Sequence, residues 1–216
     1  MNLKEQLTEV REASARNIPT DKLSVMLAET EILKARELEK YAPKVGDVFP
    51  RFALTDQLGN EVSLSEKLSH GPVVLTFYRG GWCPYCNLEL RAYQSVLDEI
   101  KAQGASLLAI TPELPDASLT TAEKNALTFS VLSDPNSKFS KTLGLVFTLA
   151  DSLKPIYSSF NIELEAHNGK GVFELPLAAT YVIDQAGKIV FADVNADYTQ
   201  RAEPRDVVES LKKICK

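Results

Sequence analysis

The stretch "PVVLTFYRGGWCPYC", residues 72–86, constrains the fold more than any other part of the chain. Residues 72–78 are a nearly continuous apolar run, which reads as a strand buried on both faces. Two glycines and a tryptophan follow, then Cys83 and Cys86. Beyond them Leu90, Tyr93, Leu97 and Ile100 fall at helical spacing. A doubly buried strand running through a tight turn into an amphipathic helix needs cover on both faces of its sheet, and that is an α/β arrangement.

The rest of the chain supplies the cover. "FALTDQLGNEVSL" (52–64) predicts a hairpin around Gly59 and Asn60, and "ASLLAIT" (105–111) and "FSVLSD" (129–134) predict further strands. Helices are expected near 117–126 and over "NSKFSKTLG" (136–144), where the glycine is a stop. Residues 147–178 read as irregular, with a short helix near Leu153–Phe160. A hairpin over 180–194 turns at Gln185–Gly187. Pro204 opens a last helix with Val207, Val208, Leu211 and Ile214 facing inward. The expected fold is therefore a mixed central sheet with helices on both sides, over residues 43–216.

Residues 1–42 read as a separate helical extension, closed by Pro43 and Gly46. Leu3, Leu7 and Val10 share one face of a first helix, and "NIPT" (17–20) breaks it. Leu23, Met26, Leu27, Thr30 and Leu33 form the apolar stripe of a second. Two such helices have no core of their own. They are expected to pack on the main domain or on a second copy, as in a homodimer.

Of 216 residues, 44% are hydrophobic and 25% charged, the balance of a globular chain. Net charge is −5 with no basic stripe, so no nucleic acid partner is expected. No run approaches the ~18 apolar residues of a membrane span. The charged first residues lack a secretory core, so the expected location is cytoplasmic, where thiols stay reduced.

The cysteines then ask for a chemical reading. If Pro84 takes the first helical position, Cys83 is the N-cap and Cys86 the third residue. Both sulfurs lie near helix N–H groups without partners, and the helix dipole favours thiolate there. A free thiol titrates near ~8.5, and such sites lower it to roughly 3.5–7.5. Arg79 adds positive charge, Gly80 and Gly81 allow a sharp turn, and Trp82 offers an apolar wall. A zinc site needs four ligands. The remaining Cys215, His70 and His167 stand at no ligand-like spacing, so neither metal nor cofactor is expected. His70 and His167 read as loop residues, Cys215 as packing on the last helix, and Arg201 and Arg205 as surface. A thiol redox pair is the leading reading, and two inert buried cysteines the competing one.

"KVGDVFPRFALTDQLGNEVSL", "GPVVLTFYRGGWCPYCNLELRAYQ" and "LAATYVIDQAGKIVFADV" resemble the alkyl hydroperoxide reductase/thiol-specific antioxidant family, the peroxiredoxin-like branch of the thioredoxin superfamily. The resemblance covers roughly 44–215. It implies a thioredoxin-like fold and a thiol-dependent peroxidase acting on hydrogen peroxide or alkyl hydroperoxides. A sulfenic acid would condense to a Cys83–Cys86 disulfide, recycled by thioredoxin or a similar dithiol. The family pattern P-x-x-x-T-x-x-C implies that Cys86 attacks peroxide and Cys83 resolves. Its Pro, Thr and Arg positions are here Arg79, Cys83 and Ala178. Some relatives resolve with a terminal cysteine, a role Cys215 would take. Thioredoxin-like reductases instead make Cys83 the nucleophile and place a proline opposite, near Pro176. Thiol–disulfide exchange is thus the alternative activity, and a redox-sensing protein a third.

Overall fold

The computed structural model describes residues 2–214. Two helices lead the chain, α1 (Leu3–Asn17) and α2 (Thr20–Ala35). Asn2 caps α1. Its side chain accepts from the Glu5 N–H at 2.8 Å, and the Glu5 carboxylate accepts from the Asn2 N–H at 3.0 Å. Two helix-start donors are satisfied reciprocally. The main unit opens with a hairpin of β1 (Ala53–Asp56) and β2 (Glu61–Ser63). The Asp56 carboxylate fastens its turn by accepting from the N–H groups of Leu58 and Asn60.

From there α3 (Leu64–His70) leads into β3 (Val73–Phe77), and α4 (Pro84–Ser95) and α5 (Leu97–Ala102) lead on to β4 (Ser106–Thr111). Next come α6 (Pro115–Lys124), β5 (Ser130–Ser133) and α7 (Lys138–Thr142). The stretch expected to be irregular holds β6 (Val146–Thr148), α8 (Lys154–Ser159), α9 (Leu164–Asn168) and β7 (Glu174–Pro176). Three-residue strands show no period, so the small β6–β7 sheet left no trace in the sequence. The chain closes with β8 (Ala178–Ile183), β9 (Ile189–Asn195) and α10 (Pro204–Ile214).

Seven strands form the main sheet in the order β2-β1-β5-β4-β3-β8-β9. β3, β4 and β5 run parallel, and the others pair antiparallel. Parallel neighbours need a crossover, which α4–α5 and α6 supply. β3 lies inside the sheet with every residue buried, which is why its sequence is apolar throughout. Tyr78, Leu90, Tyr93 and Val207 pack on one face, and Phe49, Phe77 and Tyr181 on the other.

The two leading helices behave differently. Leu3 and Leu7 of α1 enter the main core, with Val10 packed against it. The N–H groups of Leu3 and Lys4 donate to Glu203, just before α10. By contrast, α2 buries none of its residues, and Leu27 is 58% exposed. Its expected stripe faces a hollow instead of a packed core. The helix is braced by polar contacts: Lys22 Nζ donates to Ser159 Oγ at 2.8 Å, and Ser152 Oγ to Glu29 at 2.5 Å.

Candidate active site

β3 delivers the chain to the site. Tyr78 still donates to the Ile110 carbonyl at 3.0 Å, and the backbone turns at Gly80 and Gly81. A Cβ on Gly80 would lie 2.2 Å from Trp82 Nε1, and one on Gly81 would lie 1.9 Å from Thr121 Oγ1. Only glycine fits such a close approach. The turn is pinned from beneath by Glu113, which is fully buried. Both its oxygens accept from the Gly81 N–H at 3.1 Å, Thr121 Oγ1 donates at 3.3 Å, and His167 Nδ1 lies 3.0 Å away. Above, Asn87 Nδ2 donates to the Gly81 carbonyl at 2.8 Å. His167, expected to be a loop residue, instead belongs to α9 and touches the carboxylate that holds the cysteine turn. His70 ends α3 on the surface.

Pro84 is the first residue of α4, so Cys83 is its N-cap and Cys86 its third residue, as the spacing predicts. Both sulfurs are fully buried. Each has its own arginine. Arg79 Nη2 lies 3.1 Å from Cys83 Sγ, and its Nη1 donates to the Tyr157 hydroxyl at 3.1 Å. The Arg79 guanidinium also lies 4.0 Å from the Tyr198 ring centre and 5.1 Å from that of Trp82. Aromatic faces attract a desolvated cation and hold it in place.

Arg201 is the second arginine and overturns its expected surface role. Its side chain is only 1% exposed. Nε donates to Glu89 Oε2 at 2.7 Å, and Nη2 lies 3.5 Å from Cys86 Sγ. Nη1 donates to the carbonyls of Tyr198 and Gln200. Thr76 Oγ1 meets the other Glu89 oxygen at 3.2 Å. The loop from β9 to α10 wraps this guanidinium inward, a long-range placement with no local signature. Arg205 is exposed and pairs with Glu99 on the surface, as expected. The positive charge that the family pattern puts at Ala178 comes here from Arg79 and Arg201. Ala178 opens β8, and Pro176 ends β7 opposite Val146. Cys215 lies outside the described residues.

These contacts divide the sulfurs electrically. Burial pushes the Cys83 thiol up, but a hydrogen bond from Cys86 and the charges of Arg79 and Arg201 outweigh it. Cys83 is held well below the ordinary thiol range. Burial, donation of its own proton to Cys83 and the negative charge there push Cys86 well above that range, against the pull of Arg201 and Arg79. Burial also raises Glu89 to about 7, despite Arg201 beside it.

Next to Arg79 lies a cavity of about 420 Å³, bounded by α2, Trp82, Tyr85, Tyr157 and Tyr198.

A strand-to-helix turn inside a mixed sheet, with two buried sulfurs at the helix start and an arginine beside each, is an arrangement of the thioredoxin-like fold. Residues 45–192 match the AhpC/TSA family, and the chain belongs to that family. Peroxiredoxin Bcp of Escherichia coli (strain K12) is 31% identical over 102 residues, 47% of this chain and 65% of that protein. The chloroplastic peroxiredoxin Q of Triticum aestivum is 29% identical over 168 residues, 77% of this chain and 64% of that one. The chain spans just under two thirds of the length of these curated relatives. In structure it resembles peroxidoxin BcpB of Mycobacterium tuberculosis, with a TM-score of 0.62 at 24% identity, covering 79% of this chain and 97% of that one. α1 and α2 precede the matched residues.

Proposed function

We propose that this protein is a thiol-dependent peroxidase whose two working groups are Cys83 and Cys86. The observation that carries the reading is the Arg79 guanidinium 3.1 Å from the fully buried Cys83 sulfur, a placement that favours its thiolate. Peroxide cleavage needs a nucleophilic sulfur, a cation to steady the developing negative charge and an acid for the leaving oxygen. Cys83, the arginines and Cys86 supply these in turn.

In the first step the Cys83 thiolate attacks the outer oxygen of a hydroperoxide. The S–O bond forms, the O–O bond breaks, and the departing alkoxide takes the Cys86 proton. The products are an alcohol, Cys83 sulfenic acid and Cys86 thiolate. Arg201, at 3.5 Å, faces the Cys86 charge as it appears. In the second step Cys86 attacks the Cys83 sulfur and expels hydroxide, leaving the disulfide. An external dithiol such as thioredoxin returns both thiols by exchange. A cycle of this kind suits a reducing compartment such as the cytoplasm. No described helix is long and apolar enough to cross a membrane. Burial of both sulfurs favours a small peroxide over a folded protein disulfide as first substrate.

The family register gives the attack to Cys86, whereas the charge distribution favours Cys83. Mass spectrometry after one equivalent of peroxide decides. With Cys83 attacking, Cys86→Ser forms a sulfenic acid on Cys83 and stalls, and Cys83→Ser does not oxidise. The opposite pattern returns attack to Cys86. If neither variant nor the unaltered protein forms an oxidised sulfur, the peroxidase reading fails.

A further inference from the structure

The stripe on α2 is apolar, yet none of its residues is fully buried, because a hollow lies beneath it. Leu23, Met26 and Leu27 form its roof, and Trp82, Tyr157 and Phe160 its floor. Arg11, Glu31 and Asp197 line it as well. The volume, about 420 Å³, lies within the roughly 300–1,000 Å³ of small-molecule sites. It opens to solvent beside the exposed Leu27, so its apolar walls are left for a ligand to cover. Contacts at Lys22 and Glu29 tie the roof to Ser159 and Ser152 at its edges. The inner end reaches Arg79, which contacts the Cys83 sulfur.

We propose that this cavity is a subsite for the apolar substituent of an organic hydroperoxide, and that α2, through Met26 and Leu27, sets the preference for such substrates over hydrogen peroxide. The inference rests on the peroxidase reading above. Attack on the outer oxygen leaves the RO group on the side away from the sulfur. The apolar space beside Arg79 is where that group finds room. Hydrogen peroxide has no substituent and gains nothing from the roof, whereas each methylene held by an apolar pocket changes specificity by roughly 10–200-fold. α2, and with it the roof, lies outside the family-matched residues 45–192.

The test uses the full-length protein with one dithiol reductant and compares kcat/KM for cumene hydroperoxide and for hydrogen peroxide. Met26→Phe and Leu27→Phe, which fill the cavity, should each lower the ratio of the two at least ten-fold. Val45→Phe, at an exposed position away from the site, should keep it. Binding is read separately. Trp82 is the protein's one tryptophan, so the unreactive alcohol 2-phenyl-2-propanol should change its emission saturably in the unaltered protein and not in the filled variants. An unchanged ratio in the filled variants overturns the proposal, as does a Trp82 emission that ignores the alcohol. A changed oligomeric state at an unchanged ratio assigns the α2 face to a second copy and overturns it too. If neither peroxide is turned over, the peroxidase reading fails, and the Trp82 titration still decides whether the cavity takes an apolar ligand.

Discussion

Arg79→Met removes the cation nearest Cys83 and keeps a long apolar side chain against Tyr198 and Trp82. Two unit charges ~4 Å apart attract by about 4 kcal/mol at the effective dielectric of ~20 that suits protein sites. The Nη2–Sγ distance is 3.1 Å, and the guanidinium charge is centred slightly further back. Arg201 keeps part of the field on Cys83. The expected loss is about 2–4 kcal/mol, a fall of roughly 30- to 1,000-fold in the ratio of thiolate to thiol. Because folding lowers the Cys83 pKa, its thiolate is present above that lowered value and disappears as pH falls through it. Arg79→Met should therefore move the acid limb of the oxidation rate to higher pH. Near neutrality the first turnover slows by about the lost thiolate ratio, and in alkali it recovers. Arg79→Lys should restore much of the rate, since the charge returns without the fork that also reaches Tyr157. Stopped-flow Trp82 emission gives the rate, and thiolate absorbance gives the titration. A folded Arg79→Met protein with an unchanged titration, or with a rate depressed equally at every pH, would refute the reasoning.

Glu113→Gln should weaken the Gly81 anchor. Charge-assisted hydrogen bonds are worth about 1.5–3 kcal/mol, so denaturant unfolding should show a loss of that order and the first turnover should slow with it. Glu89 stays protonated in the fold up to about 7. Its contribution to stability is present below the ordinary carboxylate value and lost as pH rises through about 7, so Glu89→Gln should flatten the stability profile across that window. Removing residues 1–42 withdraws Leu3 and Leu7 from the core. At about 1.5–3 kcal/mol per buried side chain, roughly 3–6 kcal/mol is lost, and the truncated protein should unfold at lower denaturant and expose apolar surface to dye binding.

What could be read from the sequence was what lies close along the chain. The apolar run, the glycine pair and the N-cap position of Cys83 are local patterns, and strand, turn and helix start fall where those patterns put them. Arg201 carries no such pattern. It contacts a sulfur 115 residues earlier, and a charged residue near Pro204 looks like any loop residue until the fold wraps it inward. Glu113 and His167 meet across the same kind of distance. Periodicity identified the α2 stripe correctly as apolar but is blind to whether the facing surface is packed or hollow.

In the proposed cycle the two arginines bear on recycling as well as on attack. Above about pH 7, where Glu89 ionises, the buried cluster of the reduced protein holds two guanidiniums against the Cys83 thiolate and the Glu89 carboxylate. Forming the disulfide erases the thiolate and strands a positive charge away from water. Uncompensated interior charge is costly, so the oxidised form is the strained member of the couple. A dithiol whose reduced form is favoured in this way has a raised reduction potential and behaves as an oxidant toward its donor. Equilibration with glutathione buffers should place this pair well above thioredoxin on that scale. Electron delivery would then run downhill, and the protein would reset itself readily after each peroxide.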